Sequence, residues 1–337
     1  MRRVTVLGAG SWGTALAVHL GRIGHDLRLW GRDRSLVDDT EARRANAVYL
    51  PDVTLPASVS VTHSLETALD GSDLVVVVIP SHGCRAVLRA AAPCVSDRAV
   101  FVSATKGLEG GTLLRMSEVI AQEVSAHPVV VLSGPSFASE VAQQLPTAVL
   151  AASSDRAATE LVQAEFRSAY FRLYGSDDVA GVEIGGALKN IIAIAAGVVE
   201  GLGLGHNALA ALITRGLAEV TRLACAAGGR RETLSGLSGL GDLVLTCTGT
   251  LSRNRHVGVE LARGRSLHEI LASMKMIAEG VRTTGAALAL GARYHVELPI
   301  TTQMAEVLAG RTDVHTAIDA LMLRRQRAEA ESQGSIG

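Results

Sequence analysis

Short apolar runs alternate with amphipathic helical stretches through the first half of the chain, and helical periodicity takes over in the second. The first run, Val4, Val6 and Leu7 within VTVLGAG, leads directly into SWGTALAVHLGRIG, where Leu16, Ala17 and Leu20 recur at helical spacing. The next expected strand is HDLRLWGRD. More follow at 73–80 (DLVVVVIP), 98–107 (RAVFVSATKG) and 128–137 (PVVVLSGPSF), with helical segments between them. That alternation predicts a mostly parallel, doubly wound α/β sheet. Residues 75–79 and 129–132 are apolar throughout, as central strands covered by helices on both faces must be. Two shorter runs, 146–153 and 170–175, flank an expected helix over 156–166 and finish the sheet.

From about Val182 the strand signals stop. Ala, Leu and Ile recur at three- and four-residue spacing, Ser252 and Thr312 are expected helix starts, and Gly or Pro marks the breaks. The organisation expected is an α/β domain over 1–180, an all-α domain over 181–325 and a tail over 326–337 whose charged and small residues predict disorder. Residues 191–213 are about membrane length, but Glu200, His206, Asn207 and four glycines interrupt them. They read as core helices, with no membrane insertion.

Between the first run and its helix, Gly8, Gly10 and Gly13 fall at G-x-G-x-x-G spacing. The first permits a tight turn, the second lets a pyrophosphate approach bare backbone, and the third lets helix and strand pack closely. This is the pattern of a dinucleotide site. A fold of this kind that prefers NAD ends its second strand with an acid for the ribose 2′-hydroxyl. Here the strand runs Leu29, Trp30, Gly31 and then Arg32, which can fork onto a 2′-phosphate, while Asp33 comes one residue late. NADP is therefore the expected cofactor, with NAD as the alternative. Arg32 can also be read as one more solvated arginine, since all but three of the 32 cationic residues are arginine.

A length of 337 residues fits two domains, and a net charge of −1 gives no field for nucleic acid or an anionic membrane. Partners should be small molecules or a second copy of the chain. Cys84, Cys94, Cys225 and Cys247 form no C-x-x-C pair and no zinc or disulfide pattern, so they read as buried free thiols of a reducing compartment, with no metal. MRRVTVLG imitates a signal peptide, but its apolar run breaks at Gly8 and serves the first strand, so a cytoplasmic location is expected.

The three lysines are Lys106, Lys189 and Lys275. Scarcity singles them out, because an amine can give up a proton and a guanidinium does not. Lys106 lies in SATKGLEG at the carboxyl end of an expected strand, whereas Lys275 reads as a surface residue. Lys189 follows Gly185 and Gly186, each costing a helix interior roughly 1 kcal/mol relative to alanine, so a cofactor or the first domain is expected close to that backbone. Lys189 and Asn190 lead into the apolar IIAIAAGVV. Desolvation there would lower the amine pKa, as a general base needs. In GLGDLVLTCTGTLSRNRH, Ser252 can cap a helix whose amides, with Arg253 and Asn254, form an anion pocket; a solvated basic turn is the alternative. Asp242, on a Gly-flanked turn, could orient the Lys189 amine or keep it charged.

Taken in order, GAGSWGTALA, LWGR, VVVIPSH, ATKGLE, SGPSFA, GGALKNIIAIAAG, LITRGLAE, GLGDLVLTCT, SRNR and AEG resemble the bacterial type of NAD(P)-dependent glycerol-3-phosphate dehydrogenase across nearly the whole chain. The resemblance implies a Rossmann domain followed by an all-helical domain. It also implies a homodimer and reversible reduction of dihydroxyacetone phosphate to sn-glycerol 3-phosphate for phospholipid synthesis. It assigns Ser11, Trp12, Arg32, Lys106 and Ala138 to the dinucleotide beside the three glycines, with Arg253, Ile277 and Glu279 reaching it from the second domain. Ile277 stands where the family commonly has valine. On the substrate side it assigns Lys106, Gly134, Ser136, Lys189, Asp242, Ser252, Arg253 and Asn254, with Lys189 as the proton-transfer residue. Lys106 and Asn190 would polarise or position the carbonyl oxygen, and contacts from both domains imply a cleft that closes.

Rival readings are a β-hydroxyacid or 6-phosphogluconate type dehydrogenase and a dinucleotide sensor without chemistry. The sensor would need the glycines but neither Lys189 nor SRNR. GPSFA departs from the hydrolase G-x-S-x-G at Ala138, and HEILA departs from the metalloprotease H-E-x-x-H at Ala272.

Overall fold

A computed structural model describes residues 1–274 and 278–326; Lys275, Ile277 and the chain from Arg327 onward lie outside the described residues. Ten strands form in the first half: β1 (Arg3–Leu7), β2 (Asp26–Trp30), β3 (Ala45–Asn46), β4 (Leu50–Thr54), β5 (Val59–Thr62), β6 (Leu74–Val77), β7 (Val100–Ser103), β8 (Val129–Ser133), β9 (Thr147–Ala152) and β10 (Phe171–Ser176). Eight of them make one sheet in the order β10-β9-β8-β7-β6-β1-β2-β5, parallel throughout except where β8 meets β9. The sheet is thus mostly parallel, as its apolar runs predict. The helices of this half are α1 (Ser11–Arg22), α2 (Arg34–Arg43), α3 (Leu65–Leu69), α4 (Ser81–Ala91), α5 (Met116–Glu123), α6 (Ala138–Ala142) and α7 (Arg156–Phe166).

One sheet strand escapes the sequence reading. In β5, the four-residue VSVT buries Val59 and Val61 and turns Ser60 outward, a pattern too short to stand out, yet it extends the sheet beyond β2. The separate β3–β4 hairpin was likewise not expected.

After β10 every regular element among the described residues is helical: α8 (Val179–Gly201), α9 (Gly205–Ala226), α10 (Arg231–Leu234), α11 (Asp242–Thr248), α12 (Arg253–Ala262), α13 (Leu267–Ser273), α14 (Glu279–Arg293), α15 (Pro299–Leu308) and α16 (Val314–Met322). Helix α8 is the spine. It is long and apolar enough to cross a membrane, but that apolar stretch is wholly inside the protein. Its contact with α12 is backbone against backbone: a Cβ on Gly197 would stand 1.9 Å from the Arg255 oxygen, and one on Gly258 1.9 Å from the Ile194 oxygen. Only glycine permits such an approach.

Helix starts follow local chemistry, with one correction. Ser252 caps α12, its Oγ accepting the Arg255 amide at 3.2 Å. The last helix is capped not by Thr312 but by Asp313, whose carboxylate accepts the amides of His315 and Thr316 at 2.9 and 3.0 Å. A carboxylate, with two acceptor oxygens and a charge matched to the helix dipole, outcompetes a neighbouring hydroxyl. The cysteines also need correction: all four are free, but only Cys84 and Cys247 are buried, and Cys225 is exposed.

The two halves are joined through buried polar contacts. Glu183 on α8 accepts the Ser117 amide at 2.8 Å and lies 3.4 Å from Arg115, so it caps α5 across the interface. A Cβ on Gly186 would press on Ser133 Oγ of β8 at 2.8 Å, which identifies the first domain as the neighbour demanded by that glycine.

Candidate active site

The glycine loop follows β1. Gly8 has φ of 124°, and a Cβ there would lie 2.6 Å from the Val78 carbonyl oxygen. A Cβ on Gly13 would come within 1.8 Å of the Gly8 oxygen, so α1 can begin this close to the strand only with glycine present. Gly10 differs from both: nothing lies within 4 Å of where its Cβ would be, and no side chain caps α1. Bare backbone, free helical amides and open space fit a pyrophosphate. Ser11 Oγ donates to the Tyr49 carbonyl at 2.8 Å, and Trp12 is half-buried against the sheet core. Arg32 is exposed at the end of β2. Asp33 does not offer itself to a ribose, because its carboxylate caps α2 through the Ser35 and Leu36 amides.

Three elements bring charge together where the two halves meet. Lys189 on α8 is 7% exposed and Asp242, at the start of α11, is 1% exposed; they are hydrogen-bonded through Nζ and Oδ1. Lys106, just beyond β7, donates to the other oxygen of Asp242 at 2.6 Å and to the Gly134 carbonyl at 3.0 Å. One buried carboxylate therefore holds two amines, one from each domain. Asp242 opens a helix after a π-helical turn over Leu237–Gly241 instead of lying on a plain turn. Burial depresses the Lys189 amine most, Asp242 pulls it back up and Lys106 pushes it down, leaving it at about 7.

Sequence reasoning missed Thr246. Its Oγ1 donates to the Asp242 backbone oxygen at 2.6 Å, which leaves its lone pairs to accept from Lys189 Nζ at 2.7 Å. Its signal was available, because residues four apart share a helix face and Thr246 stands four after Asp242.

The α8–α12 crossing carries a second set of polar contacts. Asn254 donates to Asn190 Oδ1 at 2.9 Å and accepts the Gly280 amide at 3.0 Å, which binds α8, α12 and α14 at one point. Arg253 next to it keeps an exposed face, yet enough protein surrounds it for desolvation to lower its pKa against the pull of Glu279. Ser136 donates to the Gly134 carbonyl at 3.0 Å, and Ala138 opens α6 nearby in the chain. Glu279 reaches across to the first domain, accepting Ser81 Oγ at 3.0 Å and its amide at 3.3 Å. Ile277 lies outside the described residues. Among the described residues no cluster of His, Cys, Asp and Glu could hold a metal ion.

Two family models cover the chain. Residues 3–159 match the NAD-dependent glycerol-3-phosphate dehydrogenase N-terminus and residues 178–319 the C-terminus. A glycerol-3-phosphate dehydrogenase [NAD(P)+] of Koribacter versatilis is 54% identical, covering 98% of this chain and 99% of that protein. The Geobacter sulfurreducens protein of the same name is 50% identical over 97% of this chain and 98% of its own length. Among solved structures, the glycerol-3-phosphate dehydrogenase of Coxiella burnetii superposes with a TM-score of 0.93 at 41% identity, covering 96% of this chain and 99% of that one. A D-mandelate dehydrogenase at 13% identity and a TM-score of 0.62 shares the fold alone. Matched across both domains and at these identities, the chain belongs to the NAD-dependent glycerol-3-phosphate dehydrogenase family.

Proposed function

We propose that this chain interconverts dihydroxyacetone phosphate and sn-glycerol 3-phosphate with NADP(H) preferred over NAD(H), and that Lys189 carries the proton. The observation that supports it best is a buried amine brought to about 7 beside a shared carboxylate, on the helix that also anchors the SRNR segment. Near neutral pH such an amine can both take and return a proton. In the oxidative direction Lys189 Nζ removes the proton of the 2-hydroxyl, and in reduction it restores it. Thr246 and Asp242 orient Nζ, while Lys106 and Asn190 position the oxygen at C2. Arg253 and the first amides of α12 hold the phosphate, so binding energy far from C2 orients it for reaction. The bound nicotinamide supplies or accepts the hydride. Gly8, Gly10, Ser11, Trp12 and Gly13 would hold the pyrophosphate side of that cofactor, Arg32 the 2′-phosphate, and Lys106, Ala138, Arg253 and Glu279 the remainder.

A homodimer in the cytoplasm completes the reading: the dimer rests on the family resemblance, and four free cysteines fit a reducing compartment. The test is an assay of dihydroxyacetone phosphate against hydroxyacids with each reduced nicotinamide cofactor, following its absorbance. Turnover confined to the phosphorylated triose is expected; turnover of hydroxyacids alone would overturn the assignment.

A further inference from the structure

The order β6-β1-β2 places the residues that follow β6 and those that follow β2 on either side of the glycine loop. After β2 comes Arg32, and after β6 come Ser81 and His82. Glu279 pins the start of α14 to Ser81, and Arg282 lies one turn further along the same helix face. His82 is accordingly within electrostatic reach of Arg32, Arg282 and Glu279 together. All three basic side chains are exposed, and no described carboxylate lies within ion-pair distance of Arg32 or Arg282. Of the acids nearby, Asp33 is taken up by capping α2, and Glu279 already accepts two hydrogen bonds from Ser81. The fold therefore places His82 within reach of two guanidiniums from two other elements, neither of them paired with a described carboxylate. Such a gathering is balanced by an anion of more than one charge.

Building on the cofactor reading above, we propose that Arg282 is a second-domain contact for the 2′-phosphate of NADP(H), forming with Arg32 and His82 a three-sided cradle that determines cofactor choice. The pyrophosphate has its own donors at the start of α1, so the cradle beyond β2 is left for the phosphate that NADP carries and NAD lacks. A guanidinium matches phosphate geometry with two parallel hydrogen bonds. Because Arg32 and His82 belong to the first domain and Arg282 to the second, the 2′-phosphate adds a contact between the two domains that NAD(H) lacks.

Calorimetric titration with adenosine 2′,5′-bisphosphate and with 5′-AMP tests this apart from turnover. The wild-type chain should bind the bisphosphate more tightly. Arg282→Gln should reduce that preference by about tenfold, the size of one charge-assisted contact, and Arg282→Lys should restore part of it. Arg32→Ala should lower it at least as far. A preference unchanged in Arg282→Gln while Arg32→Ala abolishes it would overturn the role of Arg282. Equal loss of both nucleotides would overturn it too, showing a general effect on the cleft. No preference in the wild type would instead remove the NADP reading on which the inference rests.

Discussion

Lys189 shows how a single residue acquires a chemistry that its type does not ordinarily have. A lysine in water stays charged far above neutrality, and a carboxylate in hydrogen-bond contact should hold it there more firmly. Burial on α8 outweighs that pull, and Lys106 on the same carboxylate adds a second opposing charge. The sign of the pH dependence follows. Alcohol oxidation needs the neutral amine, so kcat/KM for sn-glycerol 3-phosphate should fall about tenfold per unit below pH ~7 and level off above it. Ketone reduction needs the ammonium and should decline on the alkaline side. Lys189→Arg cannot release the proton and should lower kcat by about two orders of magnitude or more, losing this titration; a rate near that of the parent would exclude proton transfer by Lys189. Arg253→Ala should act on KM for the phosphorylated substrate, and an unchanged KM would remove Arg253 from the phosphate site. The residue types were legible because lysine is scarce and SRNR is compact. Thr246 was legible only in its spacing from Asp242, because its role depends on which amine faces it.

Elements explain why motifs 64 residues apart meet, as Asn190 and Asn254 do. Gly197 and Gly258 let α8 and α12 touch along their backbones, and Gly258 stands one turn after Asn254. A methyl group on Gly258 meets the Ile194 carbonyl, which cannot rotate away, so the helices must separate. Gly258→Ala should cost about 1–3 kcal/mol or more in the denaturant unfolding free energy and weaken substrate binding as Asn254 leaves Asn190. Stability and KM both unchanged would show that the crossing has slack. Glycines inside a helical pattern announce a close neighbour. Gly185 and Gly186 were read that way, but which element approaches follows from packing: for Gly186 it is β8, together with Lys106.

Across the whole molecule, α8 packs against the helices of its own half and, through Gly186 and Glu183, against the sheet domain. Both tryptophans, Trp12 and Trp30, lie in the sheet domain, whereas the longest helices, α8 and α9, lie in the second half, so fluorescence reports the first half alone and circular dichroism weighs the second most. With α8 as a shared spine, tryptophan fluorescence and far-ultraviolet circular dichroism should follow one denaturant transition; midpoints that separate would mean that the halves unfold independently. Local sequence determined the parallel sheet, the glycine loop, the helical second half and the chemical types available, because periodicity, turn chemistry and composition act over a few residues. Strand β5 lay below that threshold, being four residues long and half exposed. Only the tertiary structure decided that Lys106, Lys189 and Asp242 share one buried contact, that Asp33 caps a helix, and that Glu279 reaches Ser81 in the other half. Burial and distance depend on elements far apart in the chain, and these two quantities decide whether an amine is charged and what it can touch.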